Sequence, residues 1–251
     1  MSREFDNSLM AIMSDRSSGS AAILDRFIDA AFDYIEQAHD DREQGRRLRE
    51  ATMALGQAFP LFAVVAHFAE GLYQTIGSGD VITYLKDYGK QWNGVSLRVA
   101  QTVISTVPLE NRTVLFHSNS STLSAIAQEA MQRNIRFRII QTESQPGGEG
   151  ADHARQLARS GADITLVPDA AVGRELERAD LAMVGTDWMT SQGFINKVGT
   201  KTIAALCHFY GKPFYVAADS RKLRPGMPAV ISEQFEVTGM GLVTMVIGEG
   251  N

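Results

Sequence analysis

The chain has 251 residues, 44% of them apolar and 21% charged, and a formal net charge of −5 at pH 7. That length and apolar fraction suffice for a sizeable buried core, in one large domain or two small ones. The negative balance excludes the wholly basic surface of a dedicated nucleic-acid binder, so no direct nucleic-acid partner is expected. A single cysteine, Cys207, excludes an internal disulfide framework and a Cys/His zinc pattern. Such usage fits a reducing, cytoplasmic setting. The opening stretch MSREFDNSLMAIMSDRSSGSAA has no apolar core between a basic start and a cleavage site, and does not read as a secretion signal. No stretch offers the ~20 apolar residues of a bilayer-spanning helix, so no membrane is expected.

Residues 1–110 read as a helical domain. Ile23, Leu24, Phe27, Ile28, Ala31, Phe32 and Ile35 recur three and four apart, the stripe of an amphipathic helix, with Ser20 placed to cap its start. A second helix is predicted from Asp41 to Ala58, and Pro60 marks its boundary. Arg46, Arg47 and Arg49 on it read as a solvated face. A third stripe runs through Leu61, Val64, Val65, Phe68 and Leu72, with His67 as a core histidine. The Gly-Ser-Gly-Asp sequence at 77–80 breaks the chain, and a fourth stripe runs from Leu85 through Tyr88, Trp92, Val95 and Val99 to Val103. Four such helices predict a small bundle.

Residues 111–251 change period. Short β-type runs at 113–117, 135–140, 163–167, 181–184 and 213–217 alternate with helical segments near 123–133, 151–160, 171–178 and 200–210. Strands alternating with helices predict an α/β fold, a Rossmann-like doubly wound parallel sheet with helices on both faces. The stretch 229–251 stays ambiguous between elements. Cys207, within an apolar helical run, reads as a small core residue.

Ligands of such sheets bind beyond the carboxyl ends of the strands. The residues that follow the five strands are His117-Ser118-Asn119-Ser120-Ser121, Glu143-Ser144-Gln145-Pro146, Pro168-Asp169, Gly185-Thr186-Asp187 and Ala218-Asp219-Ser220-Arg221, so polar groups gather on one rim. Asn196-Lys197-Val198-Gly199-Thr200 adds a lysine immediately before a helix start, whose free N–H groups and dipole favour an anion; phosphate is the natural guest, and an ordinary capped helix with a surface lysine is the competing reading. Gly147-Gly148-Glu149-Gly150 lacks the Gly-Lys-Ser/Thr ending of a phosphate-binding P-loop and reads as a mobile loop. No G-x-G-x-x-G follows a strand, so no dinucleotide is expected; neither a cofactor nor a metal is called for.

The segments LFHSNSSTL, TESQPGGEG, DITLVPDAAV, AMVGTDWMTSQGFINKVGTKTIAALC, KPFYVAAD and FEVTGMGLVTMVIGEG, in this order, resemble the family of initiation factor 2B alpha, beta and delta subunits, which includes methylthioribose-1-phosphate and ribose-1,5-bisphosphate isomerases. The resemblance covers 113–250. It implies an N-terminal helical domain, a C-terminal Rossmann-like domain and a homodimer formed through the latter. The apolar run Leu242–Ile247 is either part of that interface or simple core. In the isomerases a cysteine after the first strand and an aspartate in G-A-D act on the sugar; these correspond to Ser118 and Asp187, the catalytic pair if the chain is an enzyme. The N-K-x-G-T asparagine and lysine, which lie at the isomerase substrate, correspond to Asn196 and Lys197.

Ser118 stands in place of the family cysteine, Gln145 in place of the arginine of E-S-R-P, and no R-G-A-P segment occurs in the first half. The resemblance therefore implies a binder of a phosphorylated sugar or nucleotide with a regulatory role, held by His117, Ser118, Asn119, Ser120, Glu143, Asp187, Asn196, Lys197, Gly199 and Thr200. The alternative is an aldose–ketose sugar-phosphate isomerase, with Asp187 as one member of the acid/base pair.

Overall fold

The computed structural model describes residues 2–37, 41–75 and 81–250; the break read at 77–80 lies outside them. The chain divides into two compact units, Met1–Asn93 and Gly94–Asn251.

The first unit holds α1 (Ser2–Ser14), α2 (Ser20–Gln37), α3 (Asp41–Ala58), α4 (Ala63–Thr75) and α5 (Val81–Trp92). The stripes meet as their spacing predicts: Phe27, Leu48, Leu55, Phe68, Leu72 and Leu85 are all buried. Phe68 packs edge-on against Phe27 and Tyr88, with ring centroids 5.8 and 5.1 Å apart. His67 is half-buried, and its Nδ1 lies 3.3 Å from the Tyr88 hydroxyl. Arg46 lies on the exposed face of α3, paired with Glu43 and Glu50 at 2.6 and 2.7 Å.

Two local readings are corrected. The sequence reading put no helix before Ser20, yet α1 is helical and buries Phe5, Leu9 and Ile12. Ser20 does not cap α2, since its buried hydroxyl has no hydrogen-bond partner. The preceding turn is instead closed by Asp15, whose carboxylate accepts from the Ser17 and Ser18 N–H groups at 2.8 and 2.9 Å.

The stripe from Leu85 to Val103 is not one helix. It breaks at Gly94, which takes φ 66, and continues as α6 (Val95–Thr106) in the second unit. The sequence reading instead set its boundary between 110 and 111. There α6 packs on α7 (Ser121–Gln132), with Val99, Ala100 and Val103 against Leu123, Ile126 and Ala127.

The second unit is built on β1 (Thr113–His117), β2 (Arg138–Thr142), β3 (Asp163–Val167), β4 (Leu181–Val184), and two later strands of the same sheet, with α8 (Glu149–Arg159) and α9 (Val172–Arg178) in the crossovers. After β4 come β5 (Trp188–Met189), β6 (Gly193–Lys197), α10 (Thr200–Tyr210), β7 (Phe214–Ala217), β8 (Phe235–Gly239) and β9 (Met245–Ile247). The main sheet has six strands in the order β3-β2-β1-β4-β7-β9. All five of its pairings are parallel. Successive residues point to opposite faces, so Val114 and Phe116 enter one core with Leu123, Ile126 and Leu157, while Leu115 enters the other with Val184, Ile203 and Phe214. Cys207 lies in that second core, where burial pushes its thiol up to about 12.

β2 lies a few residues later than the run read at 135–140. The ambiguous tail supplies β8 and β9. The stretch between β4 and α10 supplies β5 and β6, which with β8 of the tail form a separate antiparallel sheet, β5-β6-β8, that the sequence reading does not assign.

Candidate functional site

Sequential strands run outward from β1 to β3 on one side and from β4 to β9 on the other. The order therefore reverses between β1 and β4, which pair directly (Phe116 opposite Met183, His117 opposite Val184). At such a switch point the loops leave in opposite directions and open a crevice beyond the carboxyl ends. Ser118 follows β1 there, and Asp187 follows β4.

His117, the last residue of β1, is 1% exposed. Its Nε2 lies 2.9 Å from the Val198 carbonyl, which can only accept, so Nε2 carries the proton; Nδ1 then accepts from the Thr142 hydroxyl at 2.6 Å. Burial lowers its pKa, and the ring is neutral. It is a strut between β1, β2 and the N-K-x-G-T turn. Gly199 is required on the other side of the ring: it takes φ 103, and a Cβ there would stand 2.9 Å from His117 Cε1.

Ser118 takes φ 67, a left-handed conformation that costs a non-glycine residue about 1 kcal/mol or more. Ser144, after β2, does the same at φ 65. The two are tied together, the Ser118 N–H donating to Ser144 Oγ at 2.8 Å. Asp169, after β3, fixes the second loop by accepting from the N–H groups of Ser144 and Gln145 at 2.9 and 2.7 Å. Below them His153 is fully buried, bonded to Ser124 Oγ and Gln141 Oε1, both at 2.9 Å. The Gln141 amide in turn donates to the Ser118 carbonyl at 3.1 Å. Burial pushes His153 down to about 4, so this ring is neutral as well.

Lys197, the last residue of β6, is 3% exposed, and its ammonium donates to the Pro146 carbonyl and to Glu149 Oε2, the latter at 3.1 Å. Glu149 Oε1 accepts from Ser118 Oγ at 3.1 Å. Asn196 Nδ2 donates to Thr200 Oγ1 at 3.0 Å, and Thr200 Oγ1 donates to the Lys197 carbonyl at 2.6 Å. The start of α10 is already engaged: Glu236 Oε1 accepts from the N–H groups of Gly199 and Lys201 at 2.7 and 2.8 Å. The free N–H groups expected at that helix start are thus partly spent on the chain's own carboxylate.

The remaining candidates divide. Ser120 caps α7, accepting weakly from the Leu123 N–H at 3.4 Å, and lies against Gly185, so it faces the crevice. Asn119 is half-buried in the turn between β1 and α7. Asp187 is half-buried, with its N–H on the Ile195 carbonyl at 3.0 Å. Glu143 engages through its backbone, its N–H donating to the Val167 carbonyl at 2.9 Å.

Sequence reading missed the carboxylate that joins Ser118 to Lys197. Glu149 sat in a glycine-rich stretch read as a mobile loop. The structure makes it the first residue of α8 and buries it. The signal available was an acidic residue in the first turn of a helix. Asp219 and Arg221, read on the rim but not among the ligand-binding residues, pair at 2.8 Å with both side chains 3% exposed, and Lys222, which the sequence did not single out, is buried with its ammonium on the Thr186 carbonyl. Burial works to raise the Asp219 carboxyl, but the Arg221 hydrogen bonds and the Lys222 charge outweigh it and hold the pKa below the usual value.

Among the described residues no group of three or more His, Cys, Asp or Glu side chains could hold a metal, and no helix is long and apolar enough to cross a membrane. A cavity of about 630 Å³ opens at the opposite, amino-terminal end of the sheet, between Arg112, Arg136, Phe137, Arg138 and Asp163. Its arginine charge is largely balanced, with Arg112 on Asp180 at 3.0 Å and Arg138 on Asp163 at 3.4 Å. The rim, with its strained serines and buried lysine, is the stronger candidate.

These features define a Rossmann-like α/β protein carrying a candidate small-ligand site at its switch point. The chain belongs to the initiation factor 2 subunit family, whose model matches residues 20–240. It is 42% identical over 113 residues to a translation initiation factor eIF-2B subunit 2-like protein of Pyrococcus horikoshii, covering 45% of this chain and 41% of the relative. It is 37% identical over 114 residues to a ribose 1,5-bisphosphate isomerase of Archaeoglobus fulgidus, covering 45% of this chain and 36% of that enzyme. The matched stretch thus spans about two fifths of the length of these curated relatives. Among solved structures, the eIF-2B of Pyrococcus horikoshii superposes with a TM-score of 0.85 at 24% identity, covering 98% of this chain and 94% of the other. The 5-methylthioribose 1-phosphate isomerase of the same organism gives 0.75 at 17%, covering 98% and 83%. At these identities the structural likeness concerns the fold.

Proposed function

We propose that the chain binds a phosphorylated sugar or nucleotide in the crevice between β1 and β4 and serves a regulatory role of the initiation factor 2B type in the cytoplasm. The observation that carries this reading is the buried Lys197 ammonium joined through Glu149 to the strained Ser118 at the switch point. Buried charge and backbone strain are both costly, and they persist where a site is built. Lys197 takes the phosphate. Asp187 reads the sugar, because an ionised carboxylate accepts from adjacent hydroxyls. His117, Asn119, Ser120, Asn196, Gly199 and Thr200 shape and hold the rim around them. The protein acts as a homodimer formed through the sheet unit, a reading supported by Met245 and Val246, 45% and 37% exposed on the edge strand β9. Calorimetric titration with ribose 5-phosphate, ribose 1,5-bisphosphate and nucleoside monophosphates tests the binding; heat with none of them removes the reading. Light scattering that finds only monomer at micromolar concentration removes the dimer.

A second reading, an aldose–ketose sugar-phosphate isomerase, is favoured by one contact. Ser118 Oγ donates to a carboxylate, Glu149 Oε1, at 3.1 Å, the arrangement of a hydroxyl with an adjacent base. The 37% identity to the ribose 1,5-bisphosphate isomerase points the same way. Against it, Glu149 already shares its charge with Lys197, and a serine hydroxyl ionises far less readily than a thiol. Turnover of ribose 1,5-bisphosphate or methylthioribose 1-phosphate that disappears in Ser118→Ala makes the chain an enzyme with an unusual serine; absence of turnover together with binding keeps the regulatory reading.

A further inference from the structure

Glu149 stands where a ligand's anionic group would have to stand. Its Oε2 takes the Lys197 ammonium at 3.1 Å and its Oε1 takes the Ser118 hydroxyl at 3.1 Å, while its side chain and that of Lys197 are only 11% and 4% exposed. One carboxylate thus uses the ammonium that the proposed function gives to the phosphate, together with the Ser118 hydroxyl beside it. A phosphate monoester brings close to two negative charges at neutral pH and three acceptor oxygens. It cannot share the same ammonium with a carboxylate, because two like charges within about 4 Å in a poorly solvated site repel strongly.

The segment that carries Glu149 can yield without breaking the sheet. Glu149 opens α8, and Gly147 and Gly148 precede it at φ 109 and 72. A Cβ on Gly147 would stand 2.9 Å from Glu149 Oε2 and 3.4 Å from Lys197 Nζ, so the ion pair is nested against bare backbone. The Pro146 carbonyl is the other acceptor on Lys197. Lys197 therefore holds this turn at two points, through its carbonyl and through its carboxylate.

Resting on the assignment of Lys197 to phosphate, we propose that Glu149 is an internal competitor: it occupies the anion position while the site is empty, and a phosphorylated ligand enters by displacing its carboxylate and loosening the Pro146–Gly148 turn. Glu149 is thereby a specificity-determining residue. A ligand with a singly charged carboxylate gains little over the carboxylate already present, whereas a phosphate dianion outcompetes it. The site selects phosphomonoesters over carboxylates by making a singly charged anion exchange with an equal.

The test is titration of inorganic phosphate and of acetate into wild type and Glu149→Gln, which keeps size and shape but removes the charge. Apparent affinity falls in proportion to the fraction of molecules whose site is open, so a competitor engaged about ten to one gives Glu149→Gln about tenfold tighter phosphate binding. Acetate binding, negligible in wild type, becomes measurable in the variant. Phosphate that binds wild type as tightly as the variant, or more tightly, overturns the competitor and leaves the binding site standing. Phosphate, ribose 5-phosphate, ribose 1,5-bisphosphate and nucleoside monophosphates all failing on both proteins overturns the competitor and the proposed function together. Hydrogen exchange on unaltered protein gives a readout that does not depend on the variant folding: the amides of residues 147–150 exchange faster at saturating phosphate, and unchanged or slower exchange there counts against displacement.

Discussion

Glu236 caps a helix that it does not belong to: from β8 its Oε1 accepts the Gly199 N–H at 2.7 Å and, from the same oxygen, the Lys201 N–H at 2.8 Å. The pairing of β6 with β8 sets this up, since Asn196 lies opposite Glu236. A carboxylate at a helix start satisfies orphan donors and meets the positive end of the dipole. Glu236→Ala is therefore expected to lower stability by about 1 kcal/mol, and Glu236→Gln, which keeps a carbonyl acceptor, by less. Urea unfolding of the two variants checks this; equal losses would mean that the cap owes nothing to the acceptor.

The buried pair of Lys197 and Glu149 gives a sharper expectation. Lys197→Met removes the ammonium and strands a carboxylate whose side chain is only 11% exposed, a loss of about 3 kcal/mol or more. Lys197→Met with Glu149→Gln removes both charges and recovers most of it. A double-mutant cycle on denaturation midpoints measures the coupling; additive effects would show that the two charges do not interact. The loss of phosphate binding in Lys197→Met must accordingly be read beside its stability.

Acid should weaken the second unit through its histidines. His153 ordinarily titrates near 6.5 and is pushed down to about 4 by burial, partly opposed by its environment at the Ser118 carbonyl. The unfolded chain takes up this proton near pH 6.5 and the folded chain refuses it until about pH 4, so the contribution is complete above pH 6.5 and is lost progressively as pH falls toward 4. That gap is equivalent to about 3 kcal/mol. His117, also lowered by burial, acts in the same direction. His153→Gln retains a hydrogen-bonding side chain without the titration, and should flatten the fall in stability between pH 6.5 and 4. A slope identical to that of wild type would assign the acid sensitivity elsewhere.

Gly199 admits no side chain without strain. Gly199→Ala must either hold alanine at φ 103 or move the His117 ring, whose Cε1 would lie 2.9 Å from the new Cβ. A cost of about 2 kcal/mol is expected, from conformational strain and the displaced contact. Circular dichroism melts report the loss, and the histidine NMR spectrum reports the displaced ring. A variant that melts with wild type and leaves the His117 resonances in place would show that the turn relaxes freely.

Asp187 and Ser118 separate sugar recognition from phosphate recognition. Asp187→Asn should weaken ribose 5-phosphate far more than inorganic phosphate, while Ser118→Ala weakens both by about 1 kcal/mol, the net worth of a neutral hydrogen bond. Parallel calorimetric titrations check this, and equal losses for the two ligands in Asp187→Asn remove its role as sugar reader.

How much of this was legible in the sequence depends on range. Period-3.6 and period-2 patterns are local, and they place β1, β3, β4 and α10 at the bounds the structure has. The break at Gly94 was not legible as a boundary, because the apolar stripe from Leu85 to Val103 continues across it and only packing on α7 assigns α6 to the sheet unit. The small sheet escaped because β5 is two residues long and the second partner of β6, β8, lies far along the chain in the tail.

The alternation of strands and helices, the gathering of polar residues on one rim and the family resemblance are each written in neighbouring residues and their order. Which charges meet there is set by contacts between residues far apart in the chain. Glu149 is 48 residues from Lys197 and 31 from Ser118, and Glu236 is 37 from Gly199. Nothing in a local pattern distinguishes these carboxylates from solvated ones. They are drawn together because a buried ammonium, a strained serine and the open end of a helix each leave donors whose burial without acceptors would be costly. The fold satisfies them with whatever carboxylate its topology brings within reach.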